Sequence, residues 1–278
     1  MLNNNQLKLI AILAMLIDHI GAVLINMEEH HALYFTCRLV GRIAFPVFCF
    51  LIVEGFLHTK NIKKYFGRLF IFTLISEIPY DLAFCNKVID LHRNNVFITL
   101  LLGLSSLYLI KFSEEKFKKK ERRILYIISV IVVTGVIGSI ANWLKCDYGF
   151  SGILLIVVFY LTRNKRSMQL LFGSTSWLVT EGYATYSFYQ LPGIIQNGFG
   201  QLIVNISYLN RIYNITHPNW NLSLLQSTVY MWISTLSILG ILVTGLYNGK
   251  KGKSNLKWFF YLFYPVHLLV LYIVSVAF

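Results

Sequence analysis

Lys8, Asp18 and His19 share one apolar stretch, LKLIAILAMLIDHIG, running from Leu7 to Gly21. If that stretch is a helix, the eleven residues from Lys8 to His19 give about 16 Å of rise and three turns plus about 20° of rotation. Both side chains then lie on one face, the lysine at a membrane surface and the histidine well inside. A cation at the mouth and an ionisable ring at depth suit a long anionic ligand with a reactive tip. A neutral imidazole there can take the proton of an incoming amine or hydroxyl as a general base. Successive helical residues point about 100° apart, so Asp18 is poorly placed to orient the ring beside it. The reading gives Asp18 to Arg42 as an anchor and leaves Glu77 or another carboxylate to steady His19.

More ionisable residues interrupt the other apolar runs: Arg38, Arg42 and Glu54 in the second, Glu77 and Asp81 in the third, Glu181 in the seventh, His267 in the last. Such residues are costly in a membrane and mark either a functional site or an ion pair. Counting rise along each helix puts His19 and Glu77 about 12 Å, and Arg42 about 9 Å, below the outer ends of their spans. These levels match, so Asp18, His19, Arg42 and Glu77 are expected to converge as a catalytic set. Arg38, Glu54, Asp81 and His267 are expected around them, with Arg38 and Asp81 pairing at the rim. The competing reading is an inter-helix bridge, Arg42 with Asp18 or with Glu77, since arginine favours paired geometry. A stability device has no need of an imidazole, which weighs toward chemistry for the set as a whole. For His267 the competing reading is a hydrogen bond to groups freed at the Pro265 kink.

The elements that must position these residues follow from composition. Of 278 residues 56% are hydrophobic and 13% charged, with a mean hydropathy of +0.61. A water-soluble domain of this size needs a far more polar surface, so the expectation is an all-α polytopic membrane bundle forming a single domain over 1–278. Apolar runs read as spans at 7–27, 36–57, 65–85, 95–111, 124–144, 148–162, 169–189, 222–247 and 258–278, about nine to ten transmembrane helices in all. The net charge of +13 sits in loops between the runs (HTKNIKKYFGR, KFSEEKFKKKERR, RNKR, GKKGKSNLK), where the positive-inside rule explains it and nucleic-acid binding is set aside. The basic loops alternate with EEHH and CDYG, which places the N-terminus in the cytoplasm. That parity also argues against a single crossing at 191–209, broken by Pro192, Gly193, Gly198 and Gly200, which reads as a re-entrant or interfacial segment or else as part of two crossings. MLNNNQ is an uncharged start with no cleavage site after the first run, so no cleavable signal peptide is expected. Cys37, Cys49, Cys85 and Cys146 show no C-x-x-C spacing and read as packing residues rather than metal ligands, although a disulfide near the outer ends is sterically thinkable.

The run RLVGRIAFPVFCFLIVEGFLHTKNIKKYFGRLFIFTLISEIPYDLAF, together with LKLIAILAMLIDHIG, resembles the TraX family, membrane proteins associated with acetylation of conjugative pilin. NVFITLLLG at Asn95, DYGFSGILL at Asp147, LYNGKKG at Leu246 and FYPVHLLVLY at Phe263 continue the resemblance in order over most of the chain. That family is similar in turn to the broad acyltransferase-3 class, whose first helix carries a basic residue, ten spacers and a histidine. Lys8 and His19 fit the spacing, with lysine where arginine is usual. The resemblance implies acetyl-CoA as donor, His19 as general base, and an exported protein or cell-envelope molecule as acceptor. It further implies a multi-pass place among the lipids of a bacterial cytoplasmic membrane. Lys8, with Lys63, Lys64 and Arg68, would hold the nucleotide of the acyl-CoA, and no metal is called for. The alternative is a proton-coupled transporter or flippase relaying protons through the same buried groups.

Overall fold

Hydrophobic side chains cover the outer faces of several described helices, while a few charged or titratable ones are held within the bundle. Leu9, Leu13 and Ile17 on the first helix, Phe70, Ile71, Leu74 and Ile78 on the fourth, and Ile124, Ile128, Ile131 and Val132 on the sixth are all exposed. Arg38, Arg42, Asp81 and His267 are buried. A protein in water would aggregate through such faces, whereas lipid is their natural solvent. The computed structural model describes residues 1–117, 119–182, 236–252 and 257–277, among which there is no β-strand.

Among the described residues the α-helices are α1 (Asn4–Leu24), α2 (His31–Gly41), α3 (Ala44–His58), α4 (Ile62–Cys85), α5 (Val96–Lys116), α6 (Arg123–Trp143), α7 (Gly149–Leu161), α8 (Arg166–Trp177), α9 (Ser237–Thr244) and α10 (Lys257–Ala277). A short π-helix, Leu178–Gly182, continues α8. Among the described residues five helical stretches are long and apolar enough to cross a membrane: α1, α2 with α3, α5, α6 and α10. Gly149–Leu161 is a shorter apolar helix. The chain is a helical membrane bundle, as its composition implies. The expected spans at 169–189 and 222–247 are described only in part, and the segment at 191–209 lies outside the described residues.

One expected span is broken. The run 36–57 is two helices meeting at Arg42 and Ile43. Pro46 supplies the reason: it has no N–H to return to the Arg42 carbonyl four residues earlier, and its ring crowds that carbonyl. The second piece, α3, is apolar all round and almost wholly buried, as a helix surrounded by others must be. It packs against α1, α5, α7 and α9, while α10 closes the bundle between α1 and α4.

Asparagines begin several helices. Asn3 accepts the Gln6 N–H at 3.0 Å and donates its own to Gln6 Oε1 at 2.9 Å, a capping box for α1. Asn61 and Asn95 accept from Lys64 and Phe97 at the starts of α4 and α5.

Two backbone bridges tie the ends. Leu2 pairs with Tyr247, and Asn4 N–H donates to the Lys250 carbonyl at 2.8 Å, laying the glycine-lysine loop beside the start of α1. At the other end Asn94 pairs with Cys146. Arg166 donates to the Tyr247 carbonyl, and Arg163 bridges Glu114 at 2.7 Å, so the basic connections gather at the end that holds the N-terminus.

Candidate functional site

His19 and His267 meet edge to edge. Their rings are nearly coplanar, with centroids 5.0 Å apart and planes 5° from parallel, and His19 Nδ1 lies 2.7 Å from His267 Nε2. His267 Nδ1 is 2.8 Å from the Phe263 carbonyl one turn back on α10. The edges of Phe84 and Tyr264 pack against the His19 ring. His267 therefore steadies His19, in the place expected of a carboxylate. The sequence placed His267 in the right neighbourhood but offered no sign of this pairing.

Next to His19 lies a cavity of about 40 Å³ near the Asn94–Cys146 end, lined by Asp18, His19, Arg38, Arg42, Tyr148 and their neighbours. Arg38 Nη1 contacts Asp18 Oδ2 at 2.8 Å, while Arg42 Nη2 is 3.9 Å from Oδ1 of the same carboxylate. Arg38 is thus the closer partner of Asp18, and the expected anchor, Arg42, is the looser one. Arg42 instead reaches the Arg38 carbonyl and the Tyr148 hydroxyl, and the carboxylates of Asp147 and Glu181 also lie within electrostatic reach. In the connection between α6 and α7, burial pushes the Asp147 carboxyl above its usual range against the pull of Arg93, Arg42 and Arg38. Gly41 permits the close approach of α2 to α1, since a β-carbon there would fall 2.1 Å from Asp18 Oδ1.

The second cavity is larger, about 430 Å³, and lies at the end that carries the basic connections. Lys8, Arg68 and Lys251 stand on its wall with His58 and Glu54, and Tyr65, Phe260 and Tyr261 supply much of its apolar surface. On α1 its lining residues are Asn4, Lys8, Ile12 and Met15. That stripe advances by four, four and three residues, and the next step of four is His19. Met15 and Tyr264, which line the inner part of this cavity, stand between it and His19. Lys8 also sits 5.2 Å from the centre of the Phe260 ring.

Several expected members are elsewhere. Glu77 bonds the Asn95 side chain, and its Oε2 lies 3.5 Å from the Asn95 N–H, so it serves the start of α5 rather than the His19 cavity. Asp81 accepts the Asp90 N–H at 2.8 Å and does not pair with Arg38. The reason is rotational. Thr73, Glu77 and Asp81 repeat every four residues on one stripe of α4, while Tyr80 and Phe84 on the adjacent stripe take the cavity wall. Glu54 belongs to the larger cavity, where it lies 3.7 Å from His58 and accepts the Tyr247 hydroxyl. Burial and that carboxylate push the Tyr247 phenol up to about 12, so it remains a donor. Lys63 and Lys64 are exposed and outside the lining: Lys63 is about 140° round the helix from Arg68, and Lys64 one turn nearer its start. Lys251, read in the sequence only as a loop charge, takes part instead. All four cysteines are free thiols.

A family model described as "TraX protein" matches residues 3–193 and 201–275. A probable fimbrial assembly protein, FimC of serogroup H1 from Dichelobacter nodosus, is 27% identical over 96% of this chain and 93% of its own length. An uncharacterized protein of Rickettsia prowazekii (strain Madrid E), RP591, is 26% identical over 58% of this chain and 56% of its own. No solved structure matches.

Proposed function

The chain belongs to the TraX family, and from that membership we propose that it is a membrane acyltransferase that carries an acetyl group from acetyl-CoA to an amine or hydroxyl of an exported acceptor. The relative named a probable fimbrial assembly protein supports a fimbrial or other envelope polypeptide as that acceptor. The observation that carries the reading is the position of His19 between two cavities at opposite ends of the bundle. The end rich in Lys and Arg faces the cytoplasm of a bacterial cell in this proposal.

The larger cavity fits a long anionic donor. Lys8, Arg68 and Lys251 offer positive charge to phosphates at its wall, and its apolar lining accepts an extended arm reaching toward Tyr264. About 16 Å of α1 separates Lys8 from His19. His19 takes the proton of the acceptor's amine or hydroxyl as that group's lone pair bonds to the acyl carbon. The carbon–sulfur bond breaks with its electron pair on sulfur, and His19 returns the proton to the departing thiolate. Asp18, Arg38 and Arg42 shape the acceptor side, and Tyr264 and Met15 must yield to let the thioester reach the ring.

The test is transfer of labelled acetyl from acetyl-CoA to a peptide with a free N-terminal amine by purified protein. His19→Ala should lower turnover by roughly 10²–10⁴-fold while acetyl-CoA binding persists. Near-normal turnover in that variant would overturn the proposal. A second reading, a proton-coupled transporter or flippase, draws on the same opposed cavities. It predicts substrate-driven proton uptake by proteoliposomes with no acyl transfer.

A further inference from the structure

The hydrogen-bond chain through the histidine pair runs in one direction only. A backbone carbonyl can accept but never donate, so His267 Nδ1, 2.8 Å from the Phe263 oxygen, must carry the hydrogen. In a neutral ring that leaves His267 Nε2 as the acceptor nitrogen. His19 Nδ1, 2.7 Å away, must then be the donor. Once Nδ1 of His19 holds the hydrogen, its Nε2 is the ring's bare nitrogen.

We propose that His267 is a positioning residue that fixes His19 in its Nδ1–H tautomer, so that Nε2 is always the nitrogen presented to a proton donor. An unpaired histidine in solution exchanges its hydrogen between the two nitrogens and presents the wrong one part of the time. Here the choice is made by α10, because the Phe263 carbonyl is fixed by the helix itself. The His19 and His267 rings lie edge to edge in nearly one plane, 5° apart with centroids 5.0 Å apart, which is the geometry an in-plane N–H···N bond requires, and Phe263 stacks on His267 at 4.9 Å. When Nε2 takes a proton, the Nδ1–H bond to His267 becomes charge-assisted and strengthens, as an orienting group should provide. His267 does this without a carboxylate and without touching the reactants.

The tautomer is independent of the acyltransferase reading, while its catalytic consequence rests on it, and the experiment separates the two. Nitrogen-15 NMR of histidine-labelled full-length protein in detergent, with the His19 signals assigned by their loss in His19→Gln, should show a protonated Nδ1 and a bare Nε2. In His267→Phe the His19 pattern should move to the other tautomer or an average of both. In His267→Gln, whose side-chain oxygen can still accept from Nδ1–H, it should be kept. A His19 with Nε2 protonated in the parent protein, or a tautomer unmoved in His267→Phe, would overturn the proposal. For acetyl transfer, His267→Phe should lose about 10²-fold in kcat with the KM for acetyl-CoA unchanged, and His267→Gln should recover most of it. Equal losses in the Phe and Gln variants, with both folded, would assign His267 to packing alone. Absence of acetyl transfer in the parent protein alongside the expected tautomer would count against the proposed activity and leave the tautomer standing.

Discussion

Asp18 serves two guanidinium groups at once, and that asymmetry sets the cost of disturbing it. Its contacts to Arg38 at 2.8 Å and Arg42 at 3.9 Å involve side chains only 8–13% exposed. Removing one partner of a buried pair costs about 3–5 kcal/mol, because a charge is left buried and uncompensated. Arg38→Met leaves Asp18 opposite Arg42, so one pairing survives. Asp18→Asn removes the carboxylate that both guanidinium groups share, so two ion pairs are lost at once, and it should be the more damaging change. The expected order of thermal midpoints, measured in one detergent, is parent, then either arginine variant, then Asp18→Asn. An arginine variant less stable than Asp18→Asn would mean that guanidinium packing outweighs the shared carboxylate. The presence of buried charge was legible from the sequence, since each such residue interrupts an apolar run. Which partner each one takes was not. Arg38 and Arg42 are four residues apart on nearly the same face, and only the fold beyond Gly41 decides which comes nearer to Asp18.

At the scale of elements, the stripe Thr73, Glu77 and Asp81 shows how an intramembrane carboxylate can be structural. The Asn95 side chain bonds both the Thr73 carbonyl and Glu77, and Asp81 takes up the Asp90 N–H in the connection that follows α4. These groups hold the start of α5 against the end of α4. Glu77→Gln keeps an acceptor for the Asn95 amide and should leave both stability and any activity close to parental. Glu77→Leu abandons a buried amide and should cost about 1–3 kcal/mol. Denaturation midpoints of the two variants make the check, and a large loss of turnover in a well-folded Glu77→Gln would restore the catalytic role the sequence suggested. Depth along a helix was readable from rise per residue, and it did place Glu77 near the level of His19. Rotation was the weak coordinate. With apolar residues on its exposed face and a mixture of aromatic, aliphatic and polar ones on its buried face, α4 offered no periodic signal strong enough to say which stripe faces the cavity. The break at Arg42 was hidden for a related reason, since a proline inside an apolar run can either kink a span or divide it.

For the whole molecule, the alternation of basic and neutral connections was the most informative pattern in the sequence, and the fold arranges them accordingly. Leu2 lies beside Tyr247, Arg166 reaches the Tyr247 carbonyl, Arg163 bridges Glu114, and His58 shares a cavity with Lys251. These contacts draw four basic connections to one end. Lys87 and Lys145 belong to connections at the other, where Asn94 pairs with Cys146. Moving positive charge across a bilayer is unfavourable, so the end with more Lys and Arg is expected inside the cell. Single cysteines placed in a cysteine-free background give the test. At Lys60, Lys119 and Lys251 they should resist a membrane-impermeant thiol reagent added to intact cells and react once the cells are opened. At Lys87 and Lys145 they should react from outside. All five positions are exposed, so failure to react cannot be blamed on burial. A cysteine at Lys251 that reacted from outside while one at Lys60 did not would contradict the pairing of the 247–251 segment with the N-terminus. It would also remove Lys251 from the end where an acetyl-CoA donor is proposed to bind, leaving Lys8 and Arg68 to hold the phosphates without it.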